Sequence, residues 1–165
     1  MKKNSYIVPL SLIFCLFFLW AISSNLLPTM IRQLMKTCEL NTFEASFTET
    51  AYWLAYFIFP IPIAMFMKRY SYKAGIIFGL CLASLGGFLF FPAAMIKSYW
   101  VYLCVFFIIA TGMCFLETAA NPYVTVLGKP ETSIRRLNLA QSFNGLGAFI
   151  SAMFLLSLIH ISEPT

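Results

Sequence analysis

Five apolar runs, each long enough to cross a bilayer, dominate this sequence and leave little choice of fold. They lie at residues 6–30, 47–67, 74–96, 100–126 and 137–156, with short polar connections between them. A helix needs about 20 predominantly apolar residues to span a hydrocarbon core about 30 Å thick. Charged residues make up 10% of the chain and hydrophobic ones 61%. Ordinary soluble domains carry about 25% charged residues. A soluble core could not hide this much apolar surface, so the solvent is lipid. The expected fold is an all-α membrane protein with about five transmembrane helices.

The net charge of +5 suggests an anionic partner, but its distribution fits membrane orientation instead of nucleic acid. Lys2, Lys3, Lys68, Arg69, Lys73, Lys129, Arg135 and Arg136 fall on one side of the membrane, and Arg32, Lys36 and Lys97 on the other. The positive-inside rule then puts the N-terminus in the cytoplasm. Lys2 and Lys3 ahead of an apolar run also open secretory signals, whose apolar region is about 7–15 residues long. The run here is longer and is read as the first span. Pro28 lies near its far end, and Ser23, Ser24 and Asn25 form a polar cluster in its outer half. Packing through small residues and cavity lining explain that cluster equally well. Tyr52, Trp53 and Tyr56 share a helical face in the second span, for packing or for stacking on a sugar ring. Pro60 and Pro62 predict a bend there. None of the five cysteines is spaced for metal binding, and neither a metal nor a cofactor is expected.

Two stretches break the apolar pattern. Residues 116–128 read LETAANPYVTVLG and put Glu117 inside the fourth run. Residues 136–144 read RLNLAQSFN and open the fifth. Acids within membrane spans are costly and usually mark a substrate or proton path; the bland alternative is an acid that glues helices together. Glu117 lies eleven residues before Gly128, about 16 Å along a helix, and Asn144 nine residues after Arg135, about 14 Å. Both depths are near the middle of the bilayer. Asn138, Gln141 and Asn144 are spaced i, i+3, i+6 and share one side of their helix. An acid can exchange a proton, and amides can donate and accept hydrogen bonds with hydroxyls, so the set suits a polyol. No H-E-x-x-H motif and no nucleophile–base pair supports an enzyme.

At these residues a family resemblance enters. FFLWA (residues 17–21), FPIPIAMFMKRYSYKAGIIFGL (residues 59–80), LETAANPYVTVLG and RLNLAQSFN resemble the fucose–proton symporter family of the major facilitator superfamily. The resemblance implies a multi-pass protein of the bacterial inner membrane. It would have twelve helices in two halves and work by alternating access, with sugar and proton as partners. This chain would supply most of the N-terminal six-helix half. Matched positions imply that Glu117 serves proton coupling and sugar binding. Gln141 and Asn144 would line the sugar cavity, with Asn138 in the same motif. Pro28 stands where the family commonly has an Asp, and Glu49, where relatives tend to have Gln, is a candidate compensating acid. Residues 1–156 are read as an incomplete transporter half that lacks its C-terminal partner half. Residues 157–165, SLIHISEPT, resemble a translated sequencing adapter and are expected to be foreign. The alternative is a truncated membrane protein that does not transport and acts only by packing against partners.

Overall fold

Proline placement and capping chemistry decide where the apolar runs become separate helices. The computed structural model describes residues 6–38, 41–96 and 98–162; the side chains at 27, 28, 33, 34, 37, 38, 156 and 158–162 lie outside that description. Lys2, Lys3, Glu39, Lys97 and the side chains of Pro28 and of most of the 157–165 tail therefore fall outside it. Among the described residues the order is α1 (Ile7–Cys38), α2 (Thr42–Ile58), α3 (Pro60–Tyr70), α4 (Tyr72–Ile96), α5 (Tyr99–Val126), a 3-10 turn (Pro130–Thr132) and α6 (Ser133–Ser162). Among the described residues, three helices are long and apolar enough to cross a membrane, namely α1 as far as Arg32, α4 and α5. The bent pair α2–α3 makes a fourth.

The chain divides into two units, one of Met1–Met30 with Val124–Thr165 and the other of Ile31–Tyr123. In the second unit a capping box opens α2. The Asn41 side chain accepts from the Glu44 backbone N–H at 2.9 Å, and the Glu44 carboxylate accepts from the Asn41 N–H at 3.1 Å. The helix breaks at Phe59, and α3 leaves at a bend of 42°. Pro60 explains the break, because it brings no N–H and suits the first helical position of α3. The expected proline bend is thus present.

Ring and glycine contacts give the helix directions in this unit. Phe59 meets Phe107, and Phe66 meets Phe115, so α3 runs parallel to α5. Gly79 faces Gly112 and Phe115, and Gly86 faces Ile109, so α4 runs antiparallel to α5. A Cβ on Gly112 would stand 2.6 Å from the Ala83 backbone nitrogen. Only glycine permits that approach of two backbones. Ile63, Met67, Cys114, Phe115 and Ala119 form the buried core between these helices.

In the first unit Phe14 stacks on Phe143 at 5.2 Å, and a Cβ on Gly147 would press on the Phe18 carbonyl. The Ser151 hydroxyl donates to the Ile22 carbonyl at 3.5 Å. Each pairing advances by four residues on both helices, so α1 and α6 run parallel. Their packed faces are Ile13, Phe17 and Ala21 on α1 and Ala140, Gly147 and Ser151 on α6, all buried.

Two boundaries differ from the sequence expectation. The first helix does not end near residue 30 but continues to Cys38, so Arg32 and Lys36 ride on its last turns and not in a connection. Residues 31–36 hold no breaker, and Lys36 complements the negative helix end. The connection after Gly128 is also shorter than expected, because Pro130–Thr132 form a 3-10 turn and α6 starts at Ser133.

Candidate functional site

Glu117 sits on α5 between buried Leu116 and buried Ala119 and is itself half-buried. Helical spacing sets its company. Cys114 lies one turn before it, and its thiol meets the Thr118 hydroxyl at 3.9 Å. Asn121 lies one turn after it and donates from Nδ2 to the Glu117 carbonyl at 3.2 Å. The carboxyl lies within electrostatic range of Tyr52 on α2 and of Cys114. Thus the acid expected from sequence is flanked by a phenol, a thiol and a hydroxyl in an apolar setting. Such surroundings leave it few competing charges, and a carboxyl held there can alternate between protonated and ionised forms.

Tyr52, Trp53 and Tyr56 form one cluster of rings, with centroids 5.5 to 5.9 Å apart. Tyr52 is buried at 5% exposure, whereas Trp53 is 58% exposed. Tyr52 and Tyr56 are also joined by a side-chain hydrogen bond. Packing therefore accounts for Tyr52, while the face of Trp53 stays open. Glu49 lies on the same face of α2 at i, i+3, i+4, i+7 from these rings and is exposed. Both acids considered at the sequence level, Glu49 and Glu117, belong to the second unit.

The amide column belongs to the first unit. Arg136, Ala140, Gly147 and Ser151 define the buried face of α6. Asn144 stands at the edge of that face and is half-buried, and Gln141 and Asn138 stand further round it and are exposed. The Asn144 Nδ2 atom is buried and finds no acceptor among the described residues. On α1 the polar cluster resolves into local bonds. Ser23 donates to the Leu19 carbonyl at 3.0 Å, and Asn25 donates to the Ala21 carbonyl at 2.8 Å.

Sequence reasoning passed over two further polar groups. Trp20 Nε1 and Thr29 Oγ1, both on α1, are also buried without a partner among the described residues. A tryptophan in mid-span, away from the interfacial belt where it is usually enriched, was the available signal for Trp20. Among the described residues no group of three His, Cys, Asp or Glu could hold a metal ion.

The family model described as Major Facilitator Superfamily matches residues 10–163. The L-fucose-proton symporter of Escherichia coli (strain K12) is 48% identical over 163 residues, which cover 99% of this chain and 37% of the symporter. The Glucose/galactose transporter of Brucella abortus biovar 1 (strain 9-941) is 40% identical over 153 residues, covering 93% of this chain and 37% of that protein. The crystal structure of a Major Facilitator Superfamily transporter, FucP, in the outward conformation superposes with a TM-score of 0.84 at 49% identity, over 98% of this chain and 39% of that one. The chain therefore spans a little over a third of the length of the relatives it matches.

Proposed function

The chain belongs to the major facilitator superfamily, and from that membership we propose that it supplies part of a sugar–proton symporter working by alternating access. The observation that carries this reading is Glu117, an acid half-buried in the apolar middle of α5. An acid kept in a span at that cost is a functional group by default. Glu117 is assigned to proton coupling and to a sugar hydroxyl. Gln141 and Asn144 are assigned to sugar hydroxyls, with Asn138 as a further amide of the same column. The buried Nδ2 of Asn144 supports that assignment, since a hydroxyl oxygen would give it the acceptor it lacks among the described residues. The relatives' names, an L-fucose-proton symporter and a glucose/galactose transporter, support a hexose or deoxyhexose as the substrate class. Alternating access needs both halves of such a transporter, so transport is assigned to the complete protein in which this chain is a part. The charge distribution orients its N-terminus toward the cytoplasm.

The test is uptake by the complete protein in proteoliposomes with an imposed proton gradient, using labelled fucose, glucose and galactose. Glu117→Gln keeps a hydrogen-bonding side chain but cannot carry a proton. Gradient-driven accumulation is expected to disappear while sugar binding persists. Accumulation equal to wild type would remove Glu117 from the mechanism. Glu49→Gln tests the compensating acid in the same assay, and unchanged coupled uptake there ends that role.

A further inference from the structure

Arg136 looks from its position like one more positive charge on the cytoplasmic side. Its side chain is nevertheless 7% exposed. The guanidinium donates from Nε to the Val124 carbonyl at 3.2 Å and from Nη2 to the Thr125 carbonyl at 3.0 Å. Its Nη1 donates to the Lys129 carbonyl at 2.9 Å and to the Thr132 hydroxyl. Val124 and Thr125 lie in the last turn of α5, where carbonyls have no partner within the helix. That end of a helix carries partial negative charge, which a cation complements. Lys129 and Thr132 belong to the turn that leads into α6. Gly128 lets the chain pass at φ +99, and a Cβ there would stand 3.4 Å from Nη1. The next residue, Arg135, has the same charge and is exposed.

The geometry points to Arg136 as a positioning residue that clamps the end of α5 to the start of α6. It thereby fixes the register from which the sugar-facing amides of α6 are presented. This inference rests on the sugar-binding role given above to Gln141 and Asn144. A planar fork of donors is what the role requires. Lysine carries its donors on one atom and cannot reach acceptors spread over two segments. Asn144 follows Arg136 by eight residues, about 12 Å along α6, so a change of register at the turn is passed along the helix.

Two substitutions separate charge from clamp. Arg136→Lys keeps the charge and loses the fork, whereas Arg135→Gln loses a charge and keeps the fork. In the complete protein in lipid nanodiscs, Arg136→Lys is expected to speed backbone amide exchange over residues 125–132 by about tenfold, the worth of one charge-assisted hydrogen bond. In proteoliposomes it is expected to raise the half-saturating sugar concentration several-fold, with the maximal rate per inserted molecule little changed. Arg135→Gln is expected to do neither. The clamp is overturned if Arg136→Lys exchanges like wild type or if Arg135→Gln gives the same acceleration. Its positioning role is overturned if exchange accelerates with no change in half-saturation. Should Arg136→Lys fail to fold, Thr132→Val removes a single acceptor. Faster exchange in the turn then supports the clamp, and wild-type exchange overturns it. If the complete wild-type protein moves no sugar, the symport reading falls, and the exchange measurements still decide the clamp.

Discussion

Ser71 carries a backbone conformation that residues with a side chain avoid, φ 128 and ψ 163, at the junction of α3 and α4. That region is essentially reserved for glycine. The residue is held there because it serves both helices. Its N–H donates to the Met67 carbonyl at 3.0 Å, and its hydroxyl accepts from the Ala74 N–H at 3.3 Å. Ser71→Gly gives up the second bond and relieves the strain, and it is expected to raise stability by about 1 kcal/mol. Thermal unfolding in lipid nanodiscs measures this; a lower melting temperature would refute the strain argument. The same scale shows what a sequence can and cannot disclose. Glu117 was legible because an acid in an apolar run stands out by type alone. Ser71 and Arg136 were not, because a dihedral angle and a set of carbonyl partners arise only once other segments are in place.

At the scale of elements, the glycines sort by what faces them. A Cβ on Gly112 would lie 2.6 Å from the Ala83 nitrogen and 2.9 Å from the Gly79 carbonyl oxygen, both backbone atoms that cannot rotate away. Gly112→Ala is therefore expected to cost about 1–3 kcal/mol through overpacking. Gly87 has nothing within 4 Å of its Cβ position, and Gly87→Ala on α4 is expected to be neutral or to gain up to about 1 kcal/mol of helix propensity. Equal effects of the two in a chemical or thermal melt would show that α4 and α5 do not pack through this glycine contact. Gly79 and Gly86 on the same helix also meet α5 closely, whereas Gly87 faces open space. The break in the second apolar run was legible from Pro60. The continuation of α1 to Cys38 was not, since a drop in hydropathy marks the end of a span but does not end a helix.

For the whole molecule, the parallel course of α1 and α6 counts membrane crossings. Helices that cross in alternation run parallel only if an odd number of crossings lies between them. With α2–α3 as one bent span, the candidate spans between them number three with α4 and α5, the odd number that the parallel course of α1 and α6 fits. Counting α2 and α3 as two spans would make α6 antiparallel to α1. The pairings of Phe14 with Phe143 and Ser151 with Ile22 exclude that. Orientation can be read by labelling single cysteines, in a background without native ones, with a thiol reagent that does not cross membranes. Lys73→Cys and Lys129→Cys are expected to react only from the cytoplasmic side, and Asn41→Cys only from outside. The reverse pattern would invert the topology and set aside the positive-inside reading.

The pairing of α1 with α6 also sets a schedule for synthesis. The Ser151–Ile22 contact joins residues 129 positions apart. At about 5–20 residues per second on the ribosome, the partner of α1 arrives on the order of 10 s after α1 itself. Ile31–Tyr123, by contrast, is one continuous segment and can close on itself within that interval. For those seconds the stripe of Ile13, Phe17 and Ala21 waits for its α6 partner.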